Sequence, residues 1–441
     1  MSNSARRRLD AIVIGAGVAG SATAVWLARA GWTVALVEKQ TFPRRKVCGE
    51  CIAASNLPLL DALGVAPALQ AGSGAELRRV TLMHCEQAAT AELPAANHAG
   101  HPEHRWGRAL GRETLDTLLV QAARAAGALV LQPWSVQSVG GGAGDWWCEA
   151  RSPGPAGLRR LAAPLLICAH GSWEAGPALA WRRAAKPQPH RAADLLAFKA
   201  NFSATQLDPG AISVLALEGG YGGMVMAGGG IGTVACCIRR DRLSALRSDA
   251  PGLGAGEVVQ AWLERSCSGV REALRGAVRQ GPWLAAGPLR TGVRVHAADG
   301  VFRVGNAAGE AHPILGEGMS MALQSAALLC THLLSVDRAT LPARTGLGAP
   351  GQAALHSRYA ADWQRCFGPR LRLAAVFAHA ASRPRPSALL MRVSRAWPQL
   401  LTEGARWGDK SRLAAPLHEV LRLSTDHRAA TAFKLQLQPQ D

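Results

Sequence analysis

What most limits the fold of this chain is a glycine turn set between two apolar runs near the N-terminus. Ala11-Ile-Val-Ile14 stops at Gly15, Ser21 to Ala30 has helical character, and Thr33-Val-Ala-Leu-Val37 is a second apolar run. Strand, helix and strand in that order join as a parallel pair with a right-handed crossover. The turn itself is Gly15-Ala-Gly17-Val-Ala-Gly20. Its glycines allow a tight bend and a close approach of backbone to a pyrophosphate, which then faces the positive end of the helix dipole. Glu38 ends the second strand, where a carboxylate accepts hydrogen bonds from ribose hydroxyls. A glycine turn alone is a weak signal, but turn, helix and acid at this spacing specify a dinucleotide site.

The rest of the chain divides by periodicity. Glu113 to Ala126 is expected to be a helix, Leu129 to Gln132, Leu165 to Cys168 and Val301 to Val304 short buried strands, and Gly318 to Leu334 a long helix rich in small residues. Between them Leu195 to Phe202, Ile212 to Leu217, Gly223 to Met226 and Gly232 to Ile238 alternate with period two, which suits an antiparallel sheet. The expected architecture is α/β. A discontinuous, Rossmann-like nucleotide domain takes 1–75, 103–185 and 282–335, and a substrate-binding sheet domain takes 76–102 and 186–281. A helical C-terminal region, 336–441, begins with a Pro/Gly-rich connection at 342–351, runs to near Leu423 and ends in a loose tail, Asp426 to Asp441. Gly140 to Gly144 reads as a turn, with Trp146 and Trp147 in a hydrophilic stretch beside it.

At 441 residues the chain has room for two or three packed units. No apolar run reaches the roughly 20 residues of a membrane span, and the basic start, Arg6 to Arg8, has no cleavage site behind it, so a cytoplasmic location is expected. Ten scattered cysteines fit a reducing compartment rather than a disulfide framework. The net charge of +18 would attract an acidic partner, while no nucleic-acid module accompanies it. No metal site is expected either: Cys48 and Cys51 form a CxxC with no second pair.

The segment Gly305-Asn-Ala-Ala-Gly-Glu-Ala-His-Pro313-Ile-Leu-Gly316-Glu-Gly318-Met-Ser320 resembles the second FAD fingerprint of the para-hydroxybenzoate hydroxylase superfamily, which includes flavin halogenases and geranylgeranyl reductases. The resemblance runs in motif order from Asp10 to about Leu334. It implies non-covalent FAD, with Asn306 at the ribityl chain, Pro313 beside the flavin, and the Gly316 to Met319 backbone at the pyrimidine edge. A helix starting near Gly318 would point free N–H groups where negative charge accumulates on reduction. Gly111-Arg112 resembles the family's cofactor-facing arginine. Pro43-Arg-Arg45-Lys46-Val-Cys48-Gly-Glu50 resembles a segment of the geranylgeranyl reductase branch, in which Arg45 or Lys46 would neutralise the pyrophosphate and Cys48 would lie near the flavin. Ala169-His170-Gly171 stands where the family has Asp-Gly, and Asn306 also replaces an acid; both changes remove charge and put direct use of NADPH in doubt. The reductant is left open between NAD(P)H and an external flavin reductase.

For the reaction, a tryptophan-type halogenase would need a Trp-x-Trp-x-Ile-Pro segment that is absent. The reductase branch has a Tyr-x-Trp-x-Phe-Pro segment, of which only Tyr221 remains here. A flavin monooxygenase mainly needs a dry apolar pocket, with Tyr221, Met224 and Met226 as expected walls and His312, just before Pro313, as the nearby proton-handling group; His312 and Tyr221 are the candidate catalytic residues. The leading expectation is therefore an FAD monooxygenase that hydroxylates or epoxidises a hydrophobic or aromatic small molecule of secondary metabolism, with an acidic carrier protein or a flavin reductase as candidate partners. The alternatives, in order, are a reductase or dehydrogenase of a prenyl or polyene chain, a halogenase and a non-catalytic flavoprotein.

Overall fold

The computed structural model describes residues 8–98, 101–154, 157–172, 178–179, 189–296, 299–340 and 348–407. A five-stranded sheet, in the order Phe302–Arg303, Leu165–Cys168, Ala11–Ile14, Val34–Val37, Leu129–Leu131, is parallel throughout. Continuous apolar strands of this kind must be covered on both faces. Helices Val18–Arg29, Arg112–Ala125 and Gly318–Leu334 cover one face, packing Val25, Leu119 and Leu329 with Val13, Leu36 and Phe302. The other face carries a hairpin layer of Ser135–Gly142, Asp145–Arg151 and Leu158–Ala163.

That hairpin layer corrects the reading of Trp146 and Trp147. Both lie on strand Asp145–Arg151, not in a polar turn. Alternation sends neighbouring side chains to opposite faces. Trp146 therefore packs beneath the parallel sheet with Ile12 and Leu166, while Trp147 faces out under the Arg160 guanidinium, 4.3 Å from the ring centre. The glycine run makes room for it: a Cβ on Gly140 would fall 2.1 Å from the Trp147 ring.

The second large sheet has eight strands. Its centre, Leu195–Ser203, Gly232–Arg239, Gly220–Met226 and Ala211–Leu217, is antiparallel, and Ala211–Leu217 pairs in parallel with Arg79–His84, which turns back through Gln87–Glu92. Helices Arg240–Ser248, Ala255–Ser266 and Ser268–Ala273 bury one face with Leu246, Trp262 and Val270. The opposite face is set by register. Leu82, Val214, Gly223, Ala235 and Lys199 lie side by side across five strands, and Ala216, Tyr221, Cys237 and Ala197 across four.

The chain then forms helices Gly348–Ala381, Pro384–Ala396 and Gln399–Trp407. The first is anchored to the parallel sheet, where the Tyr359 hydroxyl donates to the Arg303 carbonyl at 2.6 Å. The second packs on strands Arg79–His84 and Gln87–Glu92. Most of the expected 342–351 connection, the helical extension to Leu423 and the loose Asp426–Asp441 tail lie outside the described residues. All ten cysteines are free thiols. No helix among the described residues is long and apolar enough to cross a membrane.

Candidate active site

Three glycines do three different jobs at the opening turn. Gly15 has φ +100°, and a Cβ there would meet the Ala169 carbonyl oxygen at 2.7 Å. At Gly20 a Cβ would collide with the Gly15 oxygen at 1.8 Å, so this glycine lets helix and strand pack. Gly17 is different. Its Cβ would enter open space, with the Arg112 Nη2 at 3.8 Å as the nearest atom. The helix that starts at Val18 has no side-chain cap and no acid in its first turn, so its free N–H groups face that space. Glu38 is buried, and its two carboxylate oxygens accept from Ala16 N and Gln40 N, each at 2.8 Å. The acid is thus fastened to the turn, with lone pairs left for a ligand.

Arg112 is buried beside this space. Its guanidinium makes paired bonds to Asp116, both at 2.9 Å. Burial works against its charge, yet Asp116 and Cys48 outweigh that and hold the group above its ordinary range. Arg44 approaches the same acids, 3.6 Å from Asp116 and 4.0 Å from Glu38. Its neighbour Arg45 borders the cavity but turns its guanidinium to the Gln280 carbonyl, so it is Arg44 that joins Arg112 near the turn, and the sequence reading missed it. Lys46 borders the cavity by Gly171.

Glu50 joins the second large sheet to the start of helix Arg112–Ala125. It has φ 58°, is 1% exposed, and accepts from Arg112 N at 3.1 Å and Thr233 Oγ1 at 2.6 Å. Lys199, itself 1% exposed, forms an ion pair with it. Neither Lys199 nor Thr233 was singled out from the sequence.

The far fingerprint closes the other end. Pro313–Leu315 makes a tight helical turn, Gly316 is left-handed at φ 67°, and helix Gly318–Leu334 starts with no side-chain cap and no acid in its first turn. A Cβ on Gly318 would meet nothing. Gly316, Gly318 and Met319 all border the cavity. Asn306 donates to the Glu310 carboxylate at 3.3 Å, and Glu310 is buried. An acid therefore stands four residues beyond the Asn306 that had seemed to remove one.

Between these ends runs a continuous cavity of about 980 Å³. Its sheet wall carries Leu82, Val214, Tyr221, Gly223, Ala235 and Cys237, and its outer wall carries Phe377, Ala381, Leu390 and Leu401 from the C-terminal helices. Those helices had been read only as a tail. The structure also corrects the role given to Met226, while Met224 does border the cavity. Tyr221 faces the cavity, so alternation turns even-numbered neighbours the other way; both methionines pack in the helix-covered core, and only Met224 touches the cavity edge. Tyr221 and His312 do meet, with the hydroxyl 3.2 Å from Nδ1. Burial pushes the Tyr221 hydroxyl well up and the His312 imidazole down, which keeps both neutral.

The residues fit a bound flavin dinucleotide: an open Gly17 beside Arg112, Glu38 held at the turn, and an uncapped second helix start at Gly318. Comparison with known proteins agrees. The FAD binding domain family matches residues 8–343. A menaquinone reductase of Mycolicibacterium smegmatis is 48% identical over 59 residues, 13% of this chain and 14% of that protein, so the shared stretch is a small part of either. Among solved structures, a myxobacterial chondrochloren halogenase superimposes with TM-score 0.68 at 17% identity, covering 95% of this chain and 97% of that one. A geranylgeranyl bacteriochlorophyll reductase-like protein of Thermoplasma acidophilum gives 0.67 at 16%, covering 94% and 98%; at these identities the likeness is one of fold. With its turn, its two uncapped helix starts and a match through most of its length, this chain belongs to the FAD binding domain family, with FAD as its cofactor.

Proposed function

We propose that this flavoprotein is a monooxygenase acting on a hydrophobic or aromatic small molecule, and that the Tyr221–His312 pair handles the proton. Bound FAD supplies two-electron chemistry and reaction with oxygen. The chain supplies the rest. The observation that carries the proposal is the joined cavity: it runs from the helix start at Gly318 to a wall of Leu82, Val214, Gly223 and Ala235. Side chains this small and apolar leave space for a substrate and exclude water. A substrate hydroxyl placed beside Tyr221 could pass its proton to His312, whose lowered pKa leaves Nδ1 able to accept. Halogenation is less well supported. The buried lysine on the cavity face, Lys199, is held by Glu50, and Lys46 lies at the nucleotide end beside Gly171.

A second reading, reduction of a prenylated quinone or polyene, is favoured by the stretch shared with menaquinone reductase and by Tyr221, the residue kept from the reductase segment. One experiment separates the two. Reduced holoprotein, mixed anaerobically with aromatic and prenyl compounds, is exposed to labelled oxygen, and products are weighed. Label in the product supports oxygenation. Loss of a double bond or reduction of a quinone without label selects the reductase.

A further inference from the structure

Away from the flavin cavity, three donor side chains converge where the loop after strand Gln87–Glu92 crosses helix Leu57–Ala62. Asp61, His101 and His104 place one ligand atom each within 4.8 Å of one another. The loop is wound to do this. His101 N bonds the His98 carbonyl at 3.0 Å and His104 N bonds the His101 carbonyl at 3.2 Å, so residues three apart stack on one side. The two rings lie 14° from parallel with centres 5.4 Å apart. A second acid is at hand: Glu103 Oε1 is 3.5 Å from His101 Nδ1 and 3.3 Å from His104 Nε2.

We propose that Asp61, His101 and His104 form a site for a divalent transition metal of the zinc class, with Glu103 completing the shell. Two imidazoles and a carboxylate are the donor set such ions take, and four-coordinate zinc holds its donors roughly 3.3 Å apart. Contraction by at most about 1.5 Å along flexible side chains closes the present spacing to that value. The second observation is the state of His104. Its Nε2 is sealed from solvent and makes no hydrogen bond of normal geometry among the described residues, whereas a buried ring nitrogen ordinarily has a partner.

The metal would act as a clip. Beyond His104 the chain runs through Arg108–Ala109, which pairs with Cys51–Ile52, and then into Arg112. Pinning the loop to helix Leu57–Ala62 steadies the approach to the arginine beside the glycine turn, and the ligands themselves touch neither cofactor nor substrate space.

The test uses the full, FAD-loaded chain stripped with a chelator. Titration with zinc chloride by calorimetry, and with cobalt(II) followed by visible absorption, is expected to give one ion per chain with micromolar or tighter affinity and a spectrum of low-coordinate cobalt. Zinc should raise the thermal midpoint by several degrees. His101→Ala and His104→Ala should each weaken binding by ~100-fold or more while the protein stays yellow, and Asp61→Asn less. Absence of uptake by the unaltered chain overturns the site, as does full stoichiometry in the His101→Ala/His104→Ala double variant. If the single variants lose flavin, cobalt bands retained in Asp61→Asn and shifted from those of the unaltered chain still uphold the assignment, and unshifted bands overturn it.

Discussion

The nucleotide end and the substrate face are built by opposite means. At the nucleotide end the backbone does the work: glycines, two helix starts and one acid bound to the turn. At the substrate face, side chains from five strands are brought together by pairing register, and a buried ion pair, Glu50 with Lys199, ties that face to the first unit. The first arrangement is written within one stretch of sequence, whereas the second exists only once distant strands have paired. Substitutions should separate the two.

The largest effect is expected within the glycine turn. Gly20→Ala drives a methyl to 1.8 Å from the Gly15 oxygen, so the turn must break. Overpacking against backbone costs about 3 kcal/mol or more, and the protein should fail to accumulate in folded form. Gly17→Val meets only the tip of Arg112; it should fold, with an unchanged far-ultraviolet spectrum, and purify colourless. In the unaltered protein, acid precipitation should release the flavin as FAD, leaving none on the pellet. A yellow Gly17→Val variant would remove the phosphate cradle from that position.

Next comes the link between the regions. Lys199→Met leaves Glu50 buried with a charge and no cation, which costs about 3–5 kcal/mol. Urea unfolding measures it. Lys199→Met combined with Glu50→Gln should recover most of the loss, because no unpaired charge then remains. A Lys199→Met protein of unaltered stability would mean that the pair does not hold the sheet to the nucleotide unit.

A smaller change belongs to the substrate face alone. Tyr221→Phe and His312→Gln should each lower turnover on the order of 10²-fold, the range of proton-transfer catalysis, with FAD retention untouched. Since the two act as one unit, the double variant should be no worse than either single one. Additive losses would show that they work separately.

The same contrast explains what the sequence made legible. The parallel strands and their glycine turn were readable because continuous apolar runs and local spacing encode them; Leu165–Cys168 and Gly318–Leu334 begin and end where the pattern does. The cavity lining was not. Phe377, Ala381, Leu390 and Leu401 are ordinary apolar positions on helices, and nothing local marks them as facing a ligand. Glu50 and Lys199 are 149 residues apart, so neither announces the other. Met226 was placed by residue type where alternation from Tyr221 would have decided. Glu310 was not legible as a replacement for the acid missing at 306, because only the fold of the intervening loop brings its carboxylate to Asn306.

The smallest effect expected is the response to acid, and it falls on both regions. His312 beside Tyr221 on the substrate face and His356 beside Phe302 on the nucleotide side each have a pKa lowered by burial, His356 with a further push from Arg303 that Asp299 partly opposes. A histidine whose folded pKa is depressed binds its proton more readily once unfolded. Stability is therefore fully present above the unfolded value, near 6.5, and falls as pH drops below it until the folded imidazole also charges. Thermal midpoints measured from pH 7.5 downward, at steps of about half a unit, should decline through that window. His356→Gln should flatten the decline without changing turnover, because it packs on the parallel sheet far from the substrate wall. His312→Gln should flatten it and reduce turnover together. If His356→Gln altered turnover as much as His312→Gln does, the division between a backbone-built nucleotide end and a side-chain-built substrate face would not describe how this protein works.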